Sequence, residues 1–385
     1  MNITSLQDFT KLPNKGTSKY DLQAVGGNFE IPGRFVSAVP YGSGHINDTY
    51  AATYDAGRGN FRYIHQRINH NIFKDPVALM ENIARVTDHQ RDKLQSEGSA
   101  DLERRALTTI RSRDGRPYYR DADGDTWRTY IFIEGATSHD SIKSPLQARE
   151  AAKAFGQFQS MLTNLPGERL HDTIPDFHHT PKRLDALETA IRLNPKNRAK
   201  EVAAEIDFVL RRAELTSVLL CKHQAGQIPE RITHNDTKLN NVMLDNSSSE
   251  GICVIDLDTV MPGLVLYDFG DMVRTATSPR AEDEQDLSSI YMQMPMFEAL
   301  VDGYLTSAHH FLTPTERDFL AFSGKLITLE IGIRFLTDYL LGDSYFKIKR
   351  EHHNLDRCRT QLRLVASIEE QEAAMNEVVR AWAPQ

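Results

Sequence analysis

The chain has 385 residues, 40% of them hydrophobic and 25% charged. That exceeds the usual size of one domain, excludes long disorder and predicts two lobes. The net charge of -8 supplies no basic footprint for nucleic acid, so any phosphate must be held by a local device.

The first residues, MNITSLQDFTKLPNKG, lack a basic segment followed by an apolar core, so no secretory signal is read there. Cys221, Cys253 and Cys358 stand far apart without metal-ligand spacing and read as buried free thiols in a reducing cytoplasm. From Arg34 to Ile68 the pattern is β, broken by the glycine-containing turn Gly42-Ser43-Gly44. Asp75 then caps a helix that opens on Pro76 and repeats Val77, Met80, Ile83, Ala84 and Thr87 at three-to-four spacing. Short strands are predicted at Ala106–Ser112, around Pro117–Tyr119 and at Trp127–Ile133, with Asp-Gly turns at Asp114 and Asp123.

Beyond Gly135 the chain turns helical, with helices predicted at Pro145–Leu165, Pro181–Leu193, Lys200–Leu220, Leu287–Leu305, Thr315–Leu341 and Leu355–Trp382. The most apolar stretch, Phe319–Leu341, is interrupted by Lys325, Glu330, Arg334 and Asp338, which argues against a membrane span. Glu330, Arg334 and Asp338 stand at i, i+4 and i+8 and can form a charge ladder. The paired histidines His178-His179, His309-His310 and His352-His353 read as surface residues.

One island differs. ERITHNDTKLNNVMLDNSSSEGICVIDLD is a polar loop, an apolar strand, a serine-rich turn and a second apolar strand. His234-x-Asp236-x4-Asn241 opens it, and Asp256 closes it 15 residues after Asn241. Phosphoryl transfer needs these parts: a carboxylate to orient and deprotonate a hydroxyl, and oxygen ligands to hold magnesium on the phosphates. Asp236 suits the first task, Asn241 and Asp256 the second. Asp268-Phe269-Gly270 mimics a kinase metal motif, but lies 27 residues after Asn241. Asp268 and Asp271 are therefore expected to brace the loop and the Arg274 region. Ser323-Gly324-Lys325 is not a phosphate loop, because no glycine stands five residues before Gly324.

This pattern resembles the kinase-like aminoglycoside phosphotransferase superfamily. The segments GSGHINDTY, QRIN, IFKDP, FIEGATS, IPDFHHTPKR, HNDTKLNNV, VIDLDTVMPGLVLYDFGD and LEIGIRFLTDYLLGDSYFK are together similar to N-acetylhexosamine 1-kinases of that superfamily. The resemblance implies an α+β, bilobal protein-kinase-like fold, with a β-rich nucleotide-binding lobe over 1–135, a helical lobe over 136–385 and the nucleotide between them. It implies an ATP- and magnesium-dependent phosphotransferase acting on the anomeric hydroxyl of N-acetylglucosamine or N-acetylgalactosamine. Alternatives are a kinase of another small alcohol, such as an aminoglycoside, choline or homoserine, and a catalytically silent sensor of the same shape. Expected nucleotide contacts are Gly42, Ser43 and Gly44, Ile133 in the linker, and a third-strand cation. Arg67 is the favoured cation, with Gln66 as the other candidate and Glu81 as a possible partner. Expected sugar contacts are Asp236, His45, Arg334 and Tyr345, although Tyr345 also reads as a packed aromatic.

Overall fold

A computed structural model describes residues 19–384 apart from 43, 45 and 58. The chain divides into two compact units, the described part of Met1–His70 with Thr109–Phe132, and Asn71–Thr108 with Ile133–Gln385.

The first unit comprises α1 (Leu22–Gly27), β1 (Arg34–Pro40), β2 (Asp48–Asp55), β3 (Asn60–Arg67), β4 (Thr109–Ile110), β5 (Tyr119–Arg120) and β6 (Thr126–Ile131). They form one sheet in the order β1-β2-β3-β6-β4, with β5 also paired to β6. Alternation along β2 sends Tyr50, Ala52 and Tyr54 to one face, where they pack with Leu22, Val25 and Phe29. Gly26 lets α1 press on that face, since a Cβ there would run into the Tyr54 hydroxyl. His65 is buried among these residues, its ring nitrogens 2.9 Å from the Tyr54 hydroxyl and 2.7 Å from that of Thr129. Burial pushes its imidazole down to about 4, so it is neutral at physiological pH.

The second unit begins with α2 (Pro76–Ser96), capped by Asp75 as expected, and α3 (Leu102–Arg105). It continues through β7 (Ala136–Thr137), α4 (Pro145–Leu162), α5 (Thr180–Leu193), α6 (Ala203–Leu210) and α7 (Val218–Gln224). Then come β8 (Arg231–Thr233), β9 (Val242–Asp245), β10 (Gly251–Val254), β11 (Met261–Gly263) and α8 (Val265–Ala276). It closes with α9 (Met294–Ala308), α10 (Pro314–Asp318), α11 (Leu320–Leu341) and α12 (His353–Ala381).

Three predicted helices are broken where the sequence suggested continuity. The 200–220 stretch becomes α6, a 3-10 turn over Ala213–Ser217, and α7. At 287–305 a short turn at Leu287–Ser289 precedes α9. Thr313 and Glu316 form a capping box on α10, which ends at Phe319 before α11 begins.

Helix α11 is buried on all sides, which accounts for its apolar sequence. No helix among the described residues is long and apolar enough to cross a membrane. Gly270 and Gly324 let α8 and α11 approach closely, since a Cβ on Gly270 would meet the Ser323 carbonyl and one on Gly324 would meet Val273. The buried polar groups of α11 are paired, Lys325 Nζ lying 2.6 Å from Glu372. Cys253 and Cys358 are buried as expected, whereas Cys221 is exposed.

Candidate functional site

Strands β8 and β11 pair antiparallel, setting Met261 opposite Thr233, while β9 and β10 form the hairpin between them. The polar loop after β8 and the segment after β10 are thereby held side by side. The Ile255 amide donates to the Asn241 carbonyl at 2.9 Å, and a His234 ring nitrogen lies 2.9 Å from the Ile255 carbonyl. Asn241 and Asp256 therefore stand at the same end of the hairpin. Asp256 has φ 59°, a left-handed conformation that aspartate tolerates better than most residues and that recurs at functional sites.

Asp268 holds the loop from beneath. Its carboxylate accepts the backbone amides of His234 at 2.9 Å and Asn235 at 2.6 Å, and the Gln159 side-chain amide at 2.6 Å. Asn235 itself has φ 65°, and its side chain donates to the Thr259 carbonyl at 2.9 Å. Asp271 accepts from Arg274 Nε at 2.8 Å. Bracing by this pair is thus observed.

The loop so fixed presents Asp236, whose side chain is 28% exposed. Asn241 Nδ2 donates to the Asp236 carbonyl at 2.8 Å and to its Oδ2 at 3.1 Å, and Lys238 Nζ lies 3.1 Å from the same oxygen. Burial works to raise the Asp236 carboxyl, but Lys238, His234 and Asn241 outweigh it and hold it below the ordinary value. It is ionised at physiological pH, as an acceptor of a hydroxyl proton must be. With its nitrogen turned to Asp236, Asn241 keeps its amide oxygen for a cation. That oxygen and the Asp256 carboxylate are hard donors suited to magnesium, which takes few protein ligands and completes its shell with water and phosphate. Among the described residues, no group of three or more His, Cys, Asp and Glu is placed to hold a metal ion.

Lys238 was missed by sequence reasoning. Its signal was available: a lysine two residues from a carboxylate can reach the same site. Asp236 foremost, then Asp256 and Asp271, raise its ammonium above the ordinary value.

The loop is also tied to α5 and α11. Ring nitrogens of His178 lie 3.1 Å from the Asn235 carbonyl and 2.8 Å from Glu330 Oε1, and the Thr180 hydroxyl donates to Glu330 Oε2 at 2.6 Å. His178 and His353 are therefore buried rather than surface residues. Arg183 reaches back to the carbonyls of Asp176 and Phe177. Its Nε is buried without a hydrogen-bond partner among the described residues.

The charge ladder on α11 does not form. Glu330 is taken by His178 and Thr180, and Asp338 accepts the amides of Ser344, Tyr345 and Phe346 at 3.0, 2.8 and 2.9 Å. Arg334 instead lies over the rings of Phe177, Tyr345 and Phe346, 5.5–6.0 Å from their centroids. Tyr345 is 68% exposed, which removes the packed-aromatic reading.

In the first unit, Gly42 has φ 82°, and a Cβ at Gly42 or Gly44 would meet nothing within 4 Å. Ser43 and His45 lie outside the described residues. Arg67 is held by Asp48 at 2.7 Å and Asp125 at 3.0 Å, with its side chain 17% exposed. Gln66 points to the opposite face of β3, donating to the Thr49 hydroxyl at 2.9 Å and accepting from Arg128 Nε at 3.0 Å. Glu81, on α2 in the second unit, lies 2.8 Å from a His171 ring nitrogen. Ile133 is buried at the start of the second segment of the second unit.

Residues 37–310 match APH, the phosphotransferase enzyme family. The chain belongs to this family. The fold is shared with solved phosphotransferases. An aminoglycoside phosphotransferase from Alicyclobacillus acidocaldarius subsp. acidocaldarius DSM 446 is 13% identical, with TM-score 0.61 over 96% of this chain and 98% of that one. A microcompartment-associated aminopropanol kinase is 15% identical, with TM-score 0.55 over 92% and 98%. The chain is accordingly a phosphotransferase with a β-sheet N-terminal region and a helical C-terminal region.

Proposed function

We propose that this phosphotransferase is an N-acetylhexosamine 1-kinase, moving the γ-phosphate of ATP to the anomeric hydroxyl of N-acetylglucosamine or N-acetylgalactosamine. The observation that carries the choice is the cationic, aromatic cluster tied to the catalytic loop. Arg183 and Arg334 lie near enough that burial, and then Arg334, depress the Arg183 guanidinium, while the neighbouring carboxylates Glu330 and Asp338 are already occupied. An ammonium acceptor would meet like charge there. A sugar offers hydroxyl and acetamido oxygens to the guanidinium donors and a ring face to Tyr345.

In the mechanism, Asp236 accepts a hydrogen bond from the anomeric hydroxyl and takes up its proton as the oxygen attacks phosphorus. The bond from that phosphorus to the bridging oxygen breaks, and the nucleoside diphosphate leaves. This hydroxyl is more acidic than an ordinary alcohol, so a carboxylate of low basicity suffices. Lys238, next to Asp236, offsets negative charge on the transferring phosphoryl group. Magnesium, held by Asn241 and Asp256, would neutralise phosphate oxygens. Arg334 and Tyr345 hold the sugar, with His45 as a further proposed contact, and Gly42, Ser43, Gly44 and Ile133 are proposed for the nucleotide.

Nucleoside diphosphate release is measured with N-acetylglucosamine, N-acetylgalactosamine, galactose, choline and kanamycin as acceptors. The proposal expects the two N-acetylhexosamines to be strongly preferred. Preference for choline or kanamycin overturns the sugar assignment, and no release with any acceptor favours a silent binding protein.

A further inference from the structure

The buried bridge Glu330–His178–Asn235 joins the helix that carries Arg334 to the loop that carries Asp236. Its hydrogen-bond inventory is restrictive. The Asn235 carbonyl can only accept, so the ring nitrogen 3.1 Å from it must donate. The other nitrogen lies 2.8 Å from Glu330 Oε1, and Glu330 Oε2 already accepts from Thr180. Both bonds are made when the pair holds one proton more than a neutral imidazole beside a carboxylate. With that proton on Nδ1, imidazolium and carboxylate leave the pair net neutral, which suits a site with Glu330 wholly buried.

We infer that His178 is a positioning residue whose shared proton locks the Asn235 carbonyl, and with it Asp236, in register with the acceptor-binding helix. Loss of the proton leaves Glu330 charged and the ring with one N–H, which is drawn to Nδ1 beside that charge, so the donation from Nε2 to the Asn235 carbonyl is lost. The loop is then freed on that side, and a displacement near 1 Å at a reacting group costs about 100-fold in rate.

The groups acting on His178 are Glu330 from α11, Asp271 and Tyr267 from α8, and the Asn235 carbonyl, while Arg334 from α11 and Arg183 from α5 act on Glu330. Burial disfavours the imidazolium, but Glu330, the Asn235 carbonyl and Asp271 outweigh it and raise His178 above its ordinary value. Glu330 is lowered, burial being outweighed by His178, Thr180 and Arg334. A raised imidazole contributes stability that is fully present below its unfolded value and lost as pH rises through the folded one. Turnover should follow it down on the alkaline side.

This inference rests on Asp236 being the catalytic carboxylate, not on which acceptor is used. The full chain is labelled with 15N-histidine and titrated, using His178→Gln to assign the ring, and kcat is followed against pH with whichever acceptor turns over. His178 is expected to stay protonated above about 6.5, the ordinary imidazole value. The alkaline limb of kcat should coincide with its titration, and His178→Gln should lower kcat about 10- to 100-fold and flatten that limb. Thr180→Val, which keeps the shape and removes one donor to Glu330, should move the limb to higher pH, because a less stabilised carboxylate holds the shared proton more tightly. It serves as the deciding variant if His178→Gln does not fold. A ring that is neutral at the pH of full activity, or a limb unmoved in Thr180→Val, overturns the inference. The ring titration needs no turnover, so an inactive wild-type protein would count against the kinase reading while leaving the state of His178 measurable.

Discussion

The side-chain amide of Asn241 donates to both the carbonyl and the carboxylate of Asp236, at 2.8 and 3.1 Å, so one residue orients the proposed catalytic carboxylate and still keeps an oxygen for a cation. Asp236→Asn should lower kcat by about two to four orders of magnitude, the range for loss of a positioned base, with nucleotide affinity little changed. Single-turnover rates and nucleotide titration on the folded variant check it, and full activity would sink the mechanism.

Asp256 and Asp268 should separate cleanly. Asp256→Asn removes a hard donor and should abolish activity or sharply raise the magnesium requirement. Asp268→Asn should instead cost about 2–4 kcal/mol of stability, because it weakens hydrogen bonds from His234, Asn235 and Gln159 to a buried carboxylate. Magnesium titration beside denaturant unfolding decides between them. A metal phenotype confined to the Asp268 variant would mean that the ligand is misassigned.

For Arg334→Ala, the Michaelis constant of the acceptor should rise about 10- to 100-fold while that of the nucleotide is unchanged. Arg334 makes no ion pair with Glu330 or Asp338 and lies over exposed Tyr345, so the melting temperature should barely move. A lowered melting temperature with unchanged kinetics would make it a packing residue.

Arg67 is committed to Asp48 and Asp125, so a phosphate would have to compete with two carboxylates for it. Arg67→Ala should lower the melting temperature and leave the nucleotide Michaelis constant unchanged, whereas Gln66→Ala should raise that constant. If the Arg67 variant alone loses nucleotide affinity, Arg67 is the third-strand cation after all.

What could be read from the sequence was local or evenly spaced. Asp236 and Asn241 lie in the loop that leads into the β9–β10 hairpin and Asp256 follows it, so short spacing along the chain encodes their neighbourhood, and the bracing role of Asp268 was read from its distance along the chain. The His178–Glu330 bond joins residues 152 positions apart, and no periodicity signals such a contact. His178 was read as a surface residue because it stands beside His179. The two have different environments because α5 starts there: His179 is the cap, accepting from the Lys182 amide, while His178 turns inward. The charge ladder failed for a related reason, since Glu330 and Asp338 found partners off the helix. The missed breaks near 213 and 319 fall in strings with good helix propensity, where packing rather than local preference ends the helix.

The most direct measurement is the phosphorus-to-proton coupling in the purified product of the reaction with N-acetylglucosamine. Phosphorus coupled to the anomeric proton, in a product that no longer has a reducing end, is the predicted result, because transfer to the anomeric oxygen blocks ring opening. Phosphorus coupled to the C6 protons, in a sugar that still reduces copper, would contradict the 1-kinase assignment and leave only the phosphoryl-transfer roles of Asp236, Asn241 and Asp256 standing.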